Sequence, residues 1–198
     1  MKLRYAVMLS ALLPMACATT GSATSDRAPA EASEDAQGQE ASEQMGPSSA
    51  TANLESRSGS NVTGTARFTR LDDGQIELTM EIEGATPGTH ATHLHEFGDC
   101  SAPDASSAGS HWNPTTHPHG QWDHEDGHHL GDLGNIEVGE DGTGSITITT
   151  DRWELGTGGM ADIVGTAVIV HTSADDFTTQ PTGNAGGREA CGVVTVDG

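Results

Sequence analysis

The sequence predicts an all-β domain of about eight short antiparallel strands, a sandwich or barrel interrupted by long loops. Three observations point there. Apolar and polar residues alternate with period two early in the chain, and no segment carries convincing helical periodicity. The stretch 93–132 holds eight of the ten histidines and has no strand pattern through most of its length. A loop that long inside a compact domain is usually functional, and so many imidazoles in it point to metal.

The strands can be justified in order. Val62, Gly64, Ala66 and Phe68 alternate with Thr63, Thr65, Arg67 and Thr69, and Asp72-Asp73-Gly74 is a turn signal. Ile76, Leu78, Met80 and Ile82 then alternate with Glu77, Thr79, Glu81 and Glu83, the pattern of a hairpin with one buried face. Thr86-Pro87-Gly88 is a second turn, and Thr92 to His95 reads as a third strand. Further strands are expected at 135–138, 145–149, 163–170 and 192–196, with Glu140-Asp141-Gly142 as a turn between the first two.

The domain occupies 61–198. Residues 1–17 read as an export signal: Lys2 and Arg4 precede the apolar run Tyr5 to Leu13, which is too short to span a bilayer. Either Cys17 becomes a lipidated N-terminus or cleavage falls after Ala18; the lipoprotein reading is preferred because a long spacer follows. That spacer, 18–60, is acidic, rich in Ser and Ala and without aromatic residues, and is expected to be a disordered tether. The expected location is the periplasm or cell envelope, with the lipid anchor as the only membrane contact.

A net charge of −21 argues against nucleic acid as a partner. Of three cysteines, Cys17 belongs to the signal, and Cys100 and Cys191 are left as an even pair in an exported chain, which favours one disulfide.

His93 and His95, two apart on a strand, project to one face as a chelating pair, with Leu94 pointing into the core. His111, in the irregular turn before Trp112-Asn113-Pro114, joins His119, His129 and Asp132 in a three-His, one-Asp set suited to tetrahedral zinc. His171 follows the apolar run 164–170 and can join His93 and His95. His90, His117, His124 and His128 receive no role and read as solvated histidines, with a weak secondary metal site as the alternative.

These residues resemble copper/zinc superoxide dismutases of the bacterial exported type. The likeness runs through His93-Leu94-His95-Glu96-Phe97-Gly98-Asp99, Gly109-Ser110-His111-Trp112-Asn113-Pro114, Gly131-Asp132-Leu133-Gly134-Asn135, Val170-His171 with Ala174-Asp175-Asp176, and 183–192, in the family's order. The resemblance implies a Greek-key fold and copper and zinc as cofactors. It implies His93, His95, His111 and His171 as copper ligands, with His111 bridging to zinc. His119, eight residues after His111, and His129, three before Asp132, complete the zinc set with Asp132. Asp175 would link a copper-ligand and a zinc-ligand histidine, and Arg188 would hold the superoxide anion. Cys100 and Cys191 would tie the long loop to the last strand. The implied activity is dismutation of superoxide to dioxygen and hydrogen peroxide, with copper cycling between cupric and cuprous states over a structural zinc. The alternative is a copper/zinc buffering protein of the same fold. The sequence leaves a homodimer open.

Overall fold

The computed structural model describes residues 46–122, 124 and 127–198. The expected export signal, Cys17 and most of the tether lie outside the described residues. The strands are β1 (Ser49–Ser56), β2 (Thr63–Arg70), β3 (Ile76–Glu83), β4 (Gly88–His95), β5 (Asp132–Val138), β6 (Gly144–Thr150), β7 (Ala167–His171), β8 (Arg188–Val193) and the short β9 (Thr195–Val196). They pair in the order β2-β3-β6-β5-β4-β7-β8-β1, with β9 on β1, and a β1–β2 pairing closes the sheet. Every pairing between strands is antiparallel. The result is a closed eight-stranded antiparallel barrel, which leaves no long edge open. The helical content among the described residues is one 3₁₀ turn, Ser106–Ala108.

The β2–β3 hairpin forms where alternation placed it. Its register runs from Thr63 opposite Glu83 to Arg70 opposite Ile76, and Phe68, Ile76, Leu78 and Met80 are fully buried. Phe68 meets Trp153 edge to face. The other strands begin or end away from the expected bounds. β4 starts at Gly88, earlier than Thr92, and β8 starts at Arg188, earlier than Gly192. Conversely, 163–166 is a turn, because Gly165 takes φ +88° and Thr166 N–H donates back to the Ile163 carbonyl at 3.2 Å.

The tether reading up to Ser60 is corrected. Residues 49–56 are strand β1, which pairs with β2 on one side and with β8 and β9 on the other. Ala50 and Ala52 are fully buried and Leu54 nearly so. Two alanines bury too little apolar area to stand out against a Ser- and Ala-rich background, yet their small size suits a crowded barrel wall.

The loops position the site. One runs from β4 to β5, the second from β7 to β8. Cys100 on the first is disulfide-bonded to Cys191 on β8.

Candidate metal centre

The first loop is laid along β4 by main-chain hydrogen bonds. Trp112 N donates to the Leu94 carbonyl at 2.8 Å, Gly131 N to the Trp112 carbonyl at 3.0 Å, and Leu94 N to the Gly131 carbonyl at 2.8 Å. Gly131 is needed there, since a Cβ would stand 2.5 Å from the Leu94 carbonyl oxygen. His111 forms an isolated bridge with His95. A register shift at Thr92/His93 sets Asp132 of β5 opposite His93, and a shift at Val170/His171 sets Arg188 opposite His171.

These contacts bring together residues far apart in sequence. His93, His95, His111 and His171 are buried, with one ligand atom from each lying within 4.8 Å of the others. A second group by the same spacing is His93, His111, His119 and Asp132. His129 reaches that group through Asp132: the Nδ1 atoms of His111, His119 and His129 lie 3.0, 3.0 and 3.2 Å from Asp132 Oδ1. Asp132 Oδ2 accepts from the main-chain N–H groups of Gly120 and His129. All seven residues expected as metal ligands thus converge on two adjoining clusters that have His93 and His111 in common.

Hydrogen bonding leaves one set of nitrogens over. Asp175 accepts from His93 Nε2 at 2.8 Å and from His119 Nε2 at 2.9 Å. His95 Nδ1 donates to the Gly109 carbonyl at 2.9 Å, and His171 Nδ1 faces that of Gly186 at 3.4 Å. His93 Nδ1, His95 Nε2, His111 Nε2 and His171 Nε2 are then buried without a hydrogen-bond partner. So are His119 Nδ1 and His129 Nδ1, which approach Asp132 out of hydrogen-bond alignment. A buried polar atom left unpaired costs about 1–3 kcal/mol, and six in one place are hard to sustain without an ion. The donor set fits copper on the four-histidine side and zinc on the Asp132 side. Outer partners such as Asp175 fix tautomer and ring direction.

The electrostatics agree. Burial lowers the pKa of His93, His95 and His171, against the hydrogen bonds each makes, so these rings are held neutral. Burial lowers His111 to about 4, against the pull of Asp132. His119 goes the other way: burial opposes its charge, but the Asp132 carboxylate 3.0 Å from Nδ1 and the hydrogen bond from Nε2 to Asp175 more than offset this and raise it to about 9. Both aspartates are desolvated, yet their histidine partners hold them well below the carboxylate range. The His119 proton stabilises the metal-free fold fully below the ordinary value of 6.5, and that contribution is lost as pH rises through about 9. Zinc must displace this proton. Zinc uptake at pH 7 is therefore expected to release protons, and affinity to rise toward pH 9. Calorimetric titration in buffers of different ionisation enthalpy measures both, and a pH-independent affinity would contradict it.

Asp175 is held by Asn135, which donates Nδ2–H to its carbonyl at 3.0 Å and accepts its N–H at 2.8 Å. Gly183, at φ +63°, passes so close that a Cβ would collide with Asp175 Oδ1. Gln180 joins the two loops, accepting from His119 N at 2.9 Å and donating to the His119 carbonyl at 2.8 Å. Gln180 carried no signal in the sequence beyond its place in a short polar run.

The unassigned histidines divide. His117 and His124 are exposed, as expected. His90 and His128 are buried, which corrects their reading as solvated side chains. His90 packs its ring against the carbonyls of His171 and Thr86 and against Glu189.

Comparison with known proteins agrees with this geometry. Residues 62–194 match the family described as Copper/zinc superoxide dismutase (SODC). The chain is similar to the crystal structure of the clock protein EA4, with 36% identity and a TM-score of 0.68, over 77% of this chain and 97% of that one. It is also similar to a double mutant of a SOD-like protein from Bacillus subtilis, with 37% identity and a TM-score of 0.64, over 72% of this chain and 95% of that one. Copper and zinc are the metals expected of such a fold with these histidine clusters. With the family match spanning most of the barrel and both ligand clusters inside it, the chain belongs to the copper/zinc superoxide dismutase family.

Proposed function

We propose that the chain dismutates superoxide, with copper held by His93, His95, His111 and His171 and zinc by His111, His119, His129 and Asp132. The observation that carries this reading is the setting of Arg188. It stands opposite His171 across the β7–β8 pairing. Its Nη1 donates to the Ala105 carbonyl and its Nη2 to the Gly109 carbonyl, both at 2.6 Å. The Gly109 carbonyl also accepts from His95 Nδ1. The guanidinium is thereby fixed beside two of the four copper-side histidines. Arginine keeps its charge, and its five donors leave N–H groups over for a small anion.

Copper, when bound, supplies the alternating one-electron steps by which one superoxide leaves as dioxygen and a second, with two protons, as hydrogen peroxide. Arg188 binds and orients the anion. His111 presents Nε2 to the copper side while Asp132 lies 3.0 Å from its Nδ1. The ring can take a proton at Nε2 without losing its orientation, and burial, which lowers its pKa to about 4, makes that proton easy to pass on. The zinc-side residues keep His111 and the long loop in place. A second reading, metal buffering without turnover, draws on exposed His117 and His124, but it gives Arg188 no task. Steady superoxide turnover by the metal-loaded protein separates the two.

Salt dependence reports on the field around the site. The net charge of −21 repels superoxide, and the loop between His171 and Arg188 has no lysine but contains Asp175 and Asp176. Arg152, the other arginine of this half, is engaged with His128 beside the zinc set. At 0.1 M ionic strength screening acts beyond roughly 10 Å and mutes distant carboxylates before it mutes Arg188. The second-order rate constant is therefore expected to stay flat or rise slightly with moderate salt in stopped-flow measurements, and a steep fall would contradict this.

The N-terminal sequence supports an envelope location with Cys17 as a lipidated anchor. Several acyl chains hold a membrane stably where one does not. Intact-mass analysis should show a lipid-modified Cys17, and an unmodified N-terminus at Thr19 would reject the anchor.

A further inference from the structure

We propose that Arg152 and His128 position the ligand His129 and so set how tightly zinc is held. The proposal rests on the zinc assignment above.

His128 is buried between the two. Arg152 Nη1 is hydrogen-bonded to His128 Nε2, and His128 Nδ1 lies 2.7 Å from the His129 carbonyl oxygen. A guanidinium only donates, so Nε2 must be the acceptor. The proton of the neutral ring then sits on Nδ1 and is donated to the His129 carbonyl. This fixes the tautomer from geometry alone. Arg152 is itself anchored at the end of β6, where its main-chain N–H donates to Thr150 Oγ1 at 3.1 Å.

The neighbouring groups act in the same direction. Trp153 Nε1 donates to the Leu130 carbonyl at 2.9 Å, and Leu94 N donates to the Gly131 carbonyl at 2.8 Å. Three successive carbonyls, of residues 129, 130 and 131, are thus each held immediately before Asp132, and that of His129 also accepts the main-chain N–H of Asp132 at 3.1 Å. Trp122 packs on the His128 ring at 4.7 Å between centroids and on Trp153 at 5.2 Å. The peptide planes on which the His129 ring depends are fixed by these contacts. The bond from His128 meets the ligand residue itself. A ring aimed loosely at zinc loses affinity, and removing partners behind a ligand typically costs about 10- to 100-fold.

The test uses the full protein with Arg152→Ala, Arg152→Lys and His128→Phe, the last keeping a ring against Trp122 but no hydrogen bond. Zinc affinity is read by competition with a chromophoric chelator, and site geometry by the visible spectrum of cobalt placed in the zinc site. Arg152→Ala and His128→Phe should each weaken zinc by about 10- to 100-fold and change the cobalt spectrum, with copper affinity kept. Arg152→Lys, which retains a donor, should recover part of the loss. Combining Arg152→Ala with His128→Phe should add little to His128→Phe alone, because both cut one chain of contacts. Unchanged zinc affinity and cobalt spectrum in both variants would overturn the proposal, as would parallel loss of zinc and copper, which marks general loosening. His129→Ala is measured alongside. If it leaves zinc affinity unchanged, the zinc assignment itself fails; if it abolishes zinc binding while the other variants do nothing, only the positioning role fails.

Discussion

Replacing His171 with Ala should abolish dismutation while zinc stays bound. His171 ends β7, belongs to the four-histidine cluster and is absent from the group around Asp132. Its Nε2 is buried and unpaired, and the Gly186 carbonyl lies on the other side of the ring. Alanine removes one of four copper-side donors and opens space on the strand position opposite Arg188, the group that binds the anion. The rate should fall by more than the 10- to 100-fold that loss of an outer partner typically costs. The zinc side keeps His111, His119, His129 and Asp132, none of which hydrogen-bonds to the His171 ring. Elemental analysis beside the rate measurement decides the matter, and equal loss of both metals would refute the division of ligands.

Replacing Cys100 and Cys191 with Ser should cost roughly 4 kcal/mol, because their bond closes a loop with a sequence separation of 91. For a domain of this size that corresponds to a fall in Tm of about 8–16 °C. Cys191 is buried on β8 among Ala105, Ala108, Ala167 and Ile169, so the bond pins the first loop against the barrel wall. The effect should reach the site as well. Arg188 donates to the Ala105 carbonyl on that loop, and Arg57 Nε donates to the Cys100 carbonyl at 3.0 Å. Activity should therefore drop even well below the lowered Tm. Calorimetry and a rate at low temperature measure the two effects, and an unchanged Tm would contradict the stabilising role.

What the sequence made legible follows from the strength of local signals. Strict alternation over 76–83 announces a strand because large apolar residues take every inward position. His93 and His95 declare a shared face by spacing alone. β1 is hidden in the sequence because Ala50 and Ala52 look like linker residues until a partner strand stands beside them. The starts of β4 and β8 are not legible because partner strands, rather than local pattern, set how far they extend. His90 and His128 are buried by groups remote in sequence, Glu189 and Arg152 among them, and one chain read in order cannot show such encounters. Gln180 is the same case, since its only sign of function is the distant main chain of His119.

The account turns on whether these clusters perform redox turnover or only hold metal. Superoxide decay should be followed by stopped flow with protein carrying both copper and zinc, verified by elemental analysis. The account predicts catalytic decay proportional to protein concentration, lost on removal of copper and strongly reduced in Arg188→Ala, which retains both metals. Decay at the spontaneous rate with both metals bound would contradict it and leave a protein that binds metals without dismutating superoxide.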